Sequence, residues 1–68
     1  MYEVFEKLLT ENNTTAYQVA KATGIATATL TEWKNGTYVP KIDKLMKIAA
    51  YFNVPINVFL KSIEDEEG

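Results

Sequence analysis

The side chains that usually make and break bonds are nearly missing from these 68 residues. The chain has no histidine and no cysteine, which removes the commonest general base, the thiol nucleophile and the usual zinc ligands. Ser62 has no base to activate it, and outside the acidic end the carboxylates are scattered, with no pair at metal-ligand or acid–base spacing. No catalytic residue, metal site or cofactor is expected. What the sequence does concentrate is recognition chemistry between Thr27 and Asn35. Projected at about 100° per residue, Thr27, Ala28, Thr31 and Glu32 fall on one side, with Asn35 at their C-terminal end. Leu30 and Trp33 fall on the other, with Ala26 and Thr29 beside them. The second set reads as core, and the first is a face of hydroxyls, methyls and one carboxylate that is free to meet a partner.

The elements that position this face follow from the pattern on either side. Val4, Phe5, Leu8 and Leu9 at helical spacing predict a first helix over residues 2–12, ended by Asn12 and Asn13. Thr15 with Gln18 three residues later predicts a capping box, and a second helix through Val19, Ala20 and Ala22 that stops at Gly24. The third helix spans 27–35, without a capping side chain at Ala26, and Gly36 ends it. Ile42, Leu45, Met46, Ile48, Ala49 and Phe52 form the apolar side of a fourth helix, with Asn53 as its left-handed exit. Pro55 opens a fifth helix carrying Ile56, Phe59, Leu60 and Ile63. Ala20 is small enough for close backbone approach, Gly24 makes the turn, and Ile25 and Leu30 fill the wedge between helices two and three. Such a helix–turn–helix presents its second helix to a DNA major groove.

The fold class expected is all-α: a compact bundle of five short helices in one domain over 1–63, followed by an acidic disordered tail over 64–68. The apolar and charged fractions, 47% and 24%, suit a globular chain. No apolar run reaches the length of a bilayer span, so a cytoplasmic protein without a membrane segment is expected. The net charge of −2 hides an asymmetry: Glu64, Asp65, Glu66 and Glu67 lie in the tail, and residues 1–63 carry a net +2. That excess is modest for a nucleic-acid binder, and no arginine contributes to it. Trp33 reads as core, and Tyr2 and Tyr51 read as packing residues. Lys44 and Lys47 read as a solvated helix face.

The segment TTAYQVAKATGIATATLTEWKNG, with VPKIDKLMKIAAYFNVPINVFL after it, resembles the lambda-repressor-like helix-turn-helix family, also called the XRE or Cro/CI family. The resemblance covers about residues 3–62. It rests on the order of Ala20, Gly24, Ile25, Leu30, Asn35-Gly36, Pro40, Leu45, Ile48-Ala49 and Val54. It implies that Thr27, Ala28 and Glu32 touch base edges, with Thr31 on the same projected face; methyls there contact thymine and Glu32 accepts from cytosine N4. It implies that Asn35, Thr37 and Lys41 hold phosphates, joined by Lys34 and Tyr38, while the start of the second helix at Ala16 and Tyr17 offers backbone amides. Ala16 and Thr27 stand where the family often has glutamine, and Lys34 stands where it often has glutamate. Small groups therefore replace the bidentate readers.

The function so implied is that of a sequence-specific double-stranded DNA-binding regulator, a repressor in most such proteins, bound to a palindromic operator. Ile56, Phe59, Leu60 and Ile63 form the expected contact of a homodimer, assembled alone or only on DNA. The alternative is a protein-interaction module or antitoxin-type partner that keeps the fold with weak DNA binding.

Overall fold

The computed structural model describes residues 1–60. Four helices follow one another: α1 (Tyr2–Glu11), α2 (Ala16–Thr23), α3 (Thr27–Lys34) and α4 (Ile42–Phe52). A short helical segment, α5, begins at 57 and runs to 60. The architecture is all-helical, and the expected first four helices lie within a residue of their expected ends. Residues 61–68 fall outside the description, and with them Ile63 and the whole tail assigned to 64–68.

Each of the four longer helices ends on a residue in the left-handed region: Asn13 (φ 52°), Gly24 (φ 79°), Gly36 (φ 81°) and Asn53 (φ 57°). After α1, α3 and α4 the pattern of bonds is that of a Schellman motif, with one reaching back five residues and one three. The Thr37 amide donates to the Glu32 carbonyl and the Gly36 amide to the Trp33 carbonyl. The Val54 and Asn53 amides donate in the same way to the carbonyls of Ala49 and Ala50, and those of Thr14 and Asn13 to Leu9 and Thr10. Gly24 makes the single-bond version, its amide 2.9 Å from the Ala20 carbonyl. These motifs satisfy carbonyls that a helix end would orphan, and they reverse the chain within two residues.

At the start of α2 the capping box is complete. The Thr15 hydroxyl accepts from the Gln18 amide, and the Gln18 side chain accepts from the Thr15 amide. The same Gln18 oxygen accepts from the Thr14 hydroxyl at 2.8 Å. α3 starts at Ala26 with no side-chain cap.

The core lies where α1, α2, α3, α4 and α5 converge. α2 packs against both α3 and α4, with Val19 and Ala20 buried. Ile25 and Leu30 are buried between α2 and α3, as the wedge requires. Phe5, Trp33, Phe52 and Phe59 form an aromatic cluster: Trp33 stacks on Phe5 at 5.2 Å and meets Phe59 at 6.1 Å, and Phe5 meets Phe52 edge-on at 6.2 Å. Tyr2 lies half-buried on its edge, 5.3 Å from Trp33.

Three expectations about burial need correction. Ile42 and Met46 are not on the core side of α4: they are 51% and 56% exposed, because only the arc through Leu45, Ile48, Ala49 and Phe52 is covered. Ala26 is exposed rather than core, since it stands at the cap position before the first turn of α3, with extended backbone. Tyr51 is 40% exposed, touching Phe52 edge-on and reaching the Thr14 hydroxyl at 3.4 Å.

Two substitutions test the helix ends. Gly36→Ala meets no neighbouring atom, so its cost is backbone strain alone. Urea unfolding should give a loss of about 1 kcal/mol with an unchanged m-value. Thr15→Ala should cost a similar ~1 kcal/mol through the lost cap.

Candidate nucleic-acid interface

The orientation of α3 is fixed from inside. Leu30 and Trp33 are buried, 2% and 4% exposed, and a residue three positions on lies almost directly above the first. With that side pinned in the core, Thr27, Ala28, Thr31, Glu32, Lys34 and Asn35 are all exposed. The structure therefore brings the four expected reading residues onto one outward face.

The chemistry of that face is narrower than its residue types. The Thr31 hydroxyl donates to the Thr27 carbonyl at 3.1 Å, one turn back. Its proton is thereby occupied, and what it offers outward is a methyl and lone pairs. The Thr37 hydroxyl is likewise bonded, to the Glu32 carbonyl at 3.1 Å. Thr27 and Glu32 form no side-chain hydrogen bond among the described residues. They are left free to exchange one with a base edge.

Beside this face a groove of about 270 Å³ is lined by Tyr2, Ala16, Tyr17, Thr27, Leu30, Thr31 and Lys34. It is at the lower edge of small-molecule pockets but ample for a phosphate group. Tyr17, 60% exposed, and Thr27 also line a second groove with Ala20, Lys21, Gly24 and Ile25. Lys34 and Lys21 therefore stand on either side of the Tyr17–Thr27 pair. Burial, and secondarily the charge of Glu6, raises the Tyr2 phenol above its ordinary value, so it stays a neutral hydrogen-bond donor at physiological pH. The start of α2 adds the amides of Ala16 and Tyr17, which lie ahead of the first intrahelical bond and point out of the helix end.

Sequence reasoning missed Lys21. Its position four residues after Tyr17 on α2 puts the two on one helix face, which was the available signal. The remaining expected residues lie further along the chain. Thr37 and Lys41 are exposed, Tyr38 is half-buried, and Lys41 forms the cap position of α4. Lys44 is not simply solvated, as its ammonium lies 5.6 Å over the Tyr38 ring, a cation–π contact that half-buries both.

Among the described residues the one ion pair joins the Met1 amino group to Glu3 at 2.7 Å. No lysine from Lys7 to Lys47 forms an ion pair with another described residue. No three potential ligands cluster around a metal-sized space among those residues, and no helix is long and apolar enough to cross a membrane.

The last segment offers less outward apolar surface than its composition suggests. Phe59 is 0% exposed, because it covers the side of Trp33 that the other helices leave open. It belongs to the core and is out of reach of a partner. Ile56 and Leu60 are half-buried, packed on the same core in part.

No curated protein and no solved structure matches the chain significantly. A family model described as helix-turn-helix matches residues 5–59, from the first core phenylalanine of α1 to the last in α5. With the wedge between α2 and α3 and the outward face of α3, that match shows that the chain belongs to the lambda-repressor-like, XRE-type helix-turn-helix family of DNA-binding regulators.

Proposed function

We propose that the chain is a sequence-specific binder of double-stranded DNA that represses transcription by occupying an operator, with α3 lying in the major groove. One observation carries this reading. Leu30 and Trp33 hold α3 so that Thr27, Ala28, Thr31 and Glu32 form a single outward face, bordered by Lys34 on one side and by Tyr17 and Lys21 on the other. In this reading those four residues contact base edges. Ala16, Tyr17, Lys21, Lys34, Asn35, Thr37, Tyr38 and Lys41 hold the flanking backbone. Phosphate contacts set the register, and the face on α3 sets the preference.

The preference follows from what the face lacks. It has no arginine, glutamine or lysine at its centre to form a bidentate pair with a purine. Methyl groups from Thr27, Ala28 and Thr31 favour thymine, and the Glu32 carboxylate favours a base that presents an amino group. Each such contact discriminates weakly, so the operator is a palindrome read by two copies, whose α3 helices lie one DNA turn apart. A cytoplasmic location belongs to the same proposal.

Two experiments test it. Selection from a randomised duplex library at low salt should enrich a palindromic motif with the parent chain and not with Thr27→Ala, Asn35→Ala. Failure of the parent to enrich any motif would contradict the proposal.

The salt dependence of binding gives an independent check. Lys21→Gln and Lys34→Gln should each lower the slope of log affinity against log salt by about two for the two-copy complex, about one for each copy. Each should also weaken all duplexes alike, by about tenfold more at ~50 mM salt than at ~200 mM. A flat salt dependence in the parent would instead favour a fold kept for protein interaction, such as that of an antitoxin-type partner.

A further inference from the structure

An apolar stripe on α4 has no cover among the described residues. Ile42 and Met46, both more than half exposed, lie one turn apart and share a face, and the exposed Ala50 continues it a turn further. Val39, 55% exposed, lies just ahead of the helix. Asp43 and Lys47, also one turn apart, run alongside the stripe about 100° around the helix. Both are exposed, and no ion pair joins them to each other or to any other described residue.

This pattern is complementary to itself when read in the opposite direction. Two α4 helices set antiparallel about a two-fold axis close to Leu45 place Ile42 against Met46 of the second copy and Asp43 against its Lys47. The two-fold repeats both contacts. Set parallel about a two-fold axis, the same helices would carry their Asp43–Lys47 edges to opposite flanks of the contact and leave those charges unpaired.

We propose that this face of α4 is a self-association surface on which a second copy of the chain docks antiparallel, Ile42 packing on Met46 and Asp43 pairing with Lys47. The patch is small beside the roughly 1,200 Å² of a stable complex, so association is weak in free solution, setting in at about 0.1 mM or above. It goes beyond the DNA-binding reading, which needs two copies but names no surface by which they meet.

Sedimentation equilibrium of the full chain without DNA, up to about 1 mM, tests the surface separately from DNA binding. The parent should show a concentration-dependent dimer. Asp43→Lys and Lys47→Asp should each weaken it about tenfold or more, through like charges across the axis. The double variant should recover most of the loss. An equimolar mixture of the two single variants should form a heterodimer tighter than either homodimer, since one chain then carries two positive and the other two negative charges on the stripe. An effect confined to one helix cannot produce that result. Met46→Ser should weaken the dimer about tenfold while leaving the thermal midpoint of a dilute sample nearly unchanged.

A parent chain that stays monomeric throughout would overturn the proposal. So would charge variants that associate like the parent, or a mixture no tighter than its components. A large drop in the dilute thermal midpoint for Ile42→Ser and Met46→Ser would show that the stripe is packed within a single chain, and would overturn the proposal as well.

Discussion

The packing of Trp33 is the contact on which the rest of the molecule depends. Its indole is stacked on Phe5 of α1, edged by Tyr2 and covered on another side by Phe59 of α5. One residue of α3 thereby ties together the first helix, the last segment and, through Phe5 and Phe52, the fourth helix. Removing a buried tryptophan side chain typically costs about 3–5 kcal/mol. A domain of this size, with no cysteine to reinforce it, has a total stability of about the same amount. The group that holds the fold is therefore also the group that sets the rotation of α3. A change that loosens one loosens the other.

That rotation matters because the outward face has little chemistry to spare. The Thr31 and Thr37 hydroxyls are bonded to backbone carbonyls, and the lysines stand at the borders of the face rather than at its centre. Weak individual contacts discriminate between sequences only if they are presented in a fixed geometry, since each contributes less than the ~1–3 kcal/mol of a bidentate pair. The helix ends supply that rigidity. Four left-handed residues, two glycines and two asparagines, stop the four longer helices, and Gly24 and Gly36 bracket α3 and the turn before it.

Much of this was legible in the sequence, and for identifiable reasons. Thr15 with Gln18, Gly24, Gly36 and Asn53 announce helix ends through local chemistry, which tertiary packing seldom overrides. Leu30 and Trp33, three positions apart on a short helix, leave one choice for its inner face. The fourth helix is different. Six apolar groups form one continuous arc of about 160°, and periodicity cannot say how much of that arc its neighbours cover, so Ile42 and Met46 at one edge were indistinguishable from Leu45 and Ile48. Phe59 posed the same difficulty from the other side: a surplus of apolar groups on a terminal helix suits a dimer contact or an unfilled core equally, and the open side of Trp33 decides it. Helical spacing puts Lys21 on the face of Tyr17, but that it lines a groove shared with Thr27 is a tertiary fact.

The central claim is that the face presented by α3, with the start of α2 beside it, is where this chain meets DNA. Amide chemical shifts followed by NMR during titration with a duplex at low salt test it residue by residue. The account predicts that the largest changes fall on Ala16, Tyr17, Lys21 and residues 27–37, with small ones on 57–60. Changes concentrated on α4 and α5 with α3 undisturbed, or no changes at all with a duplex in excess, would contradict it.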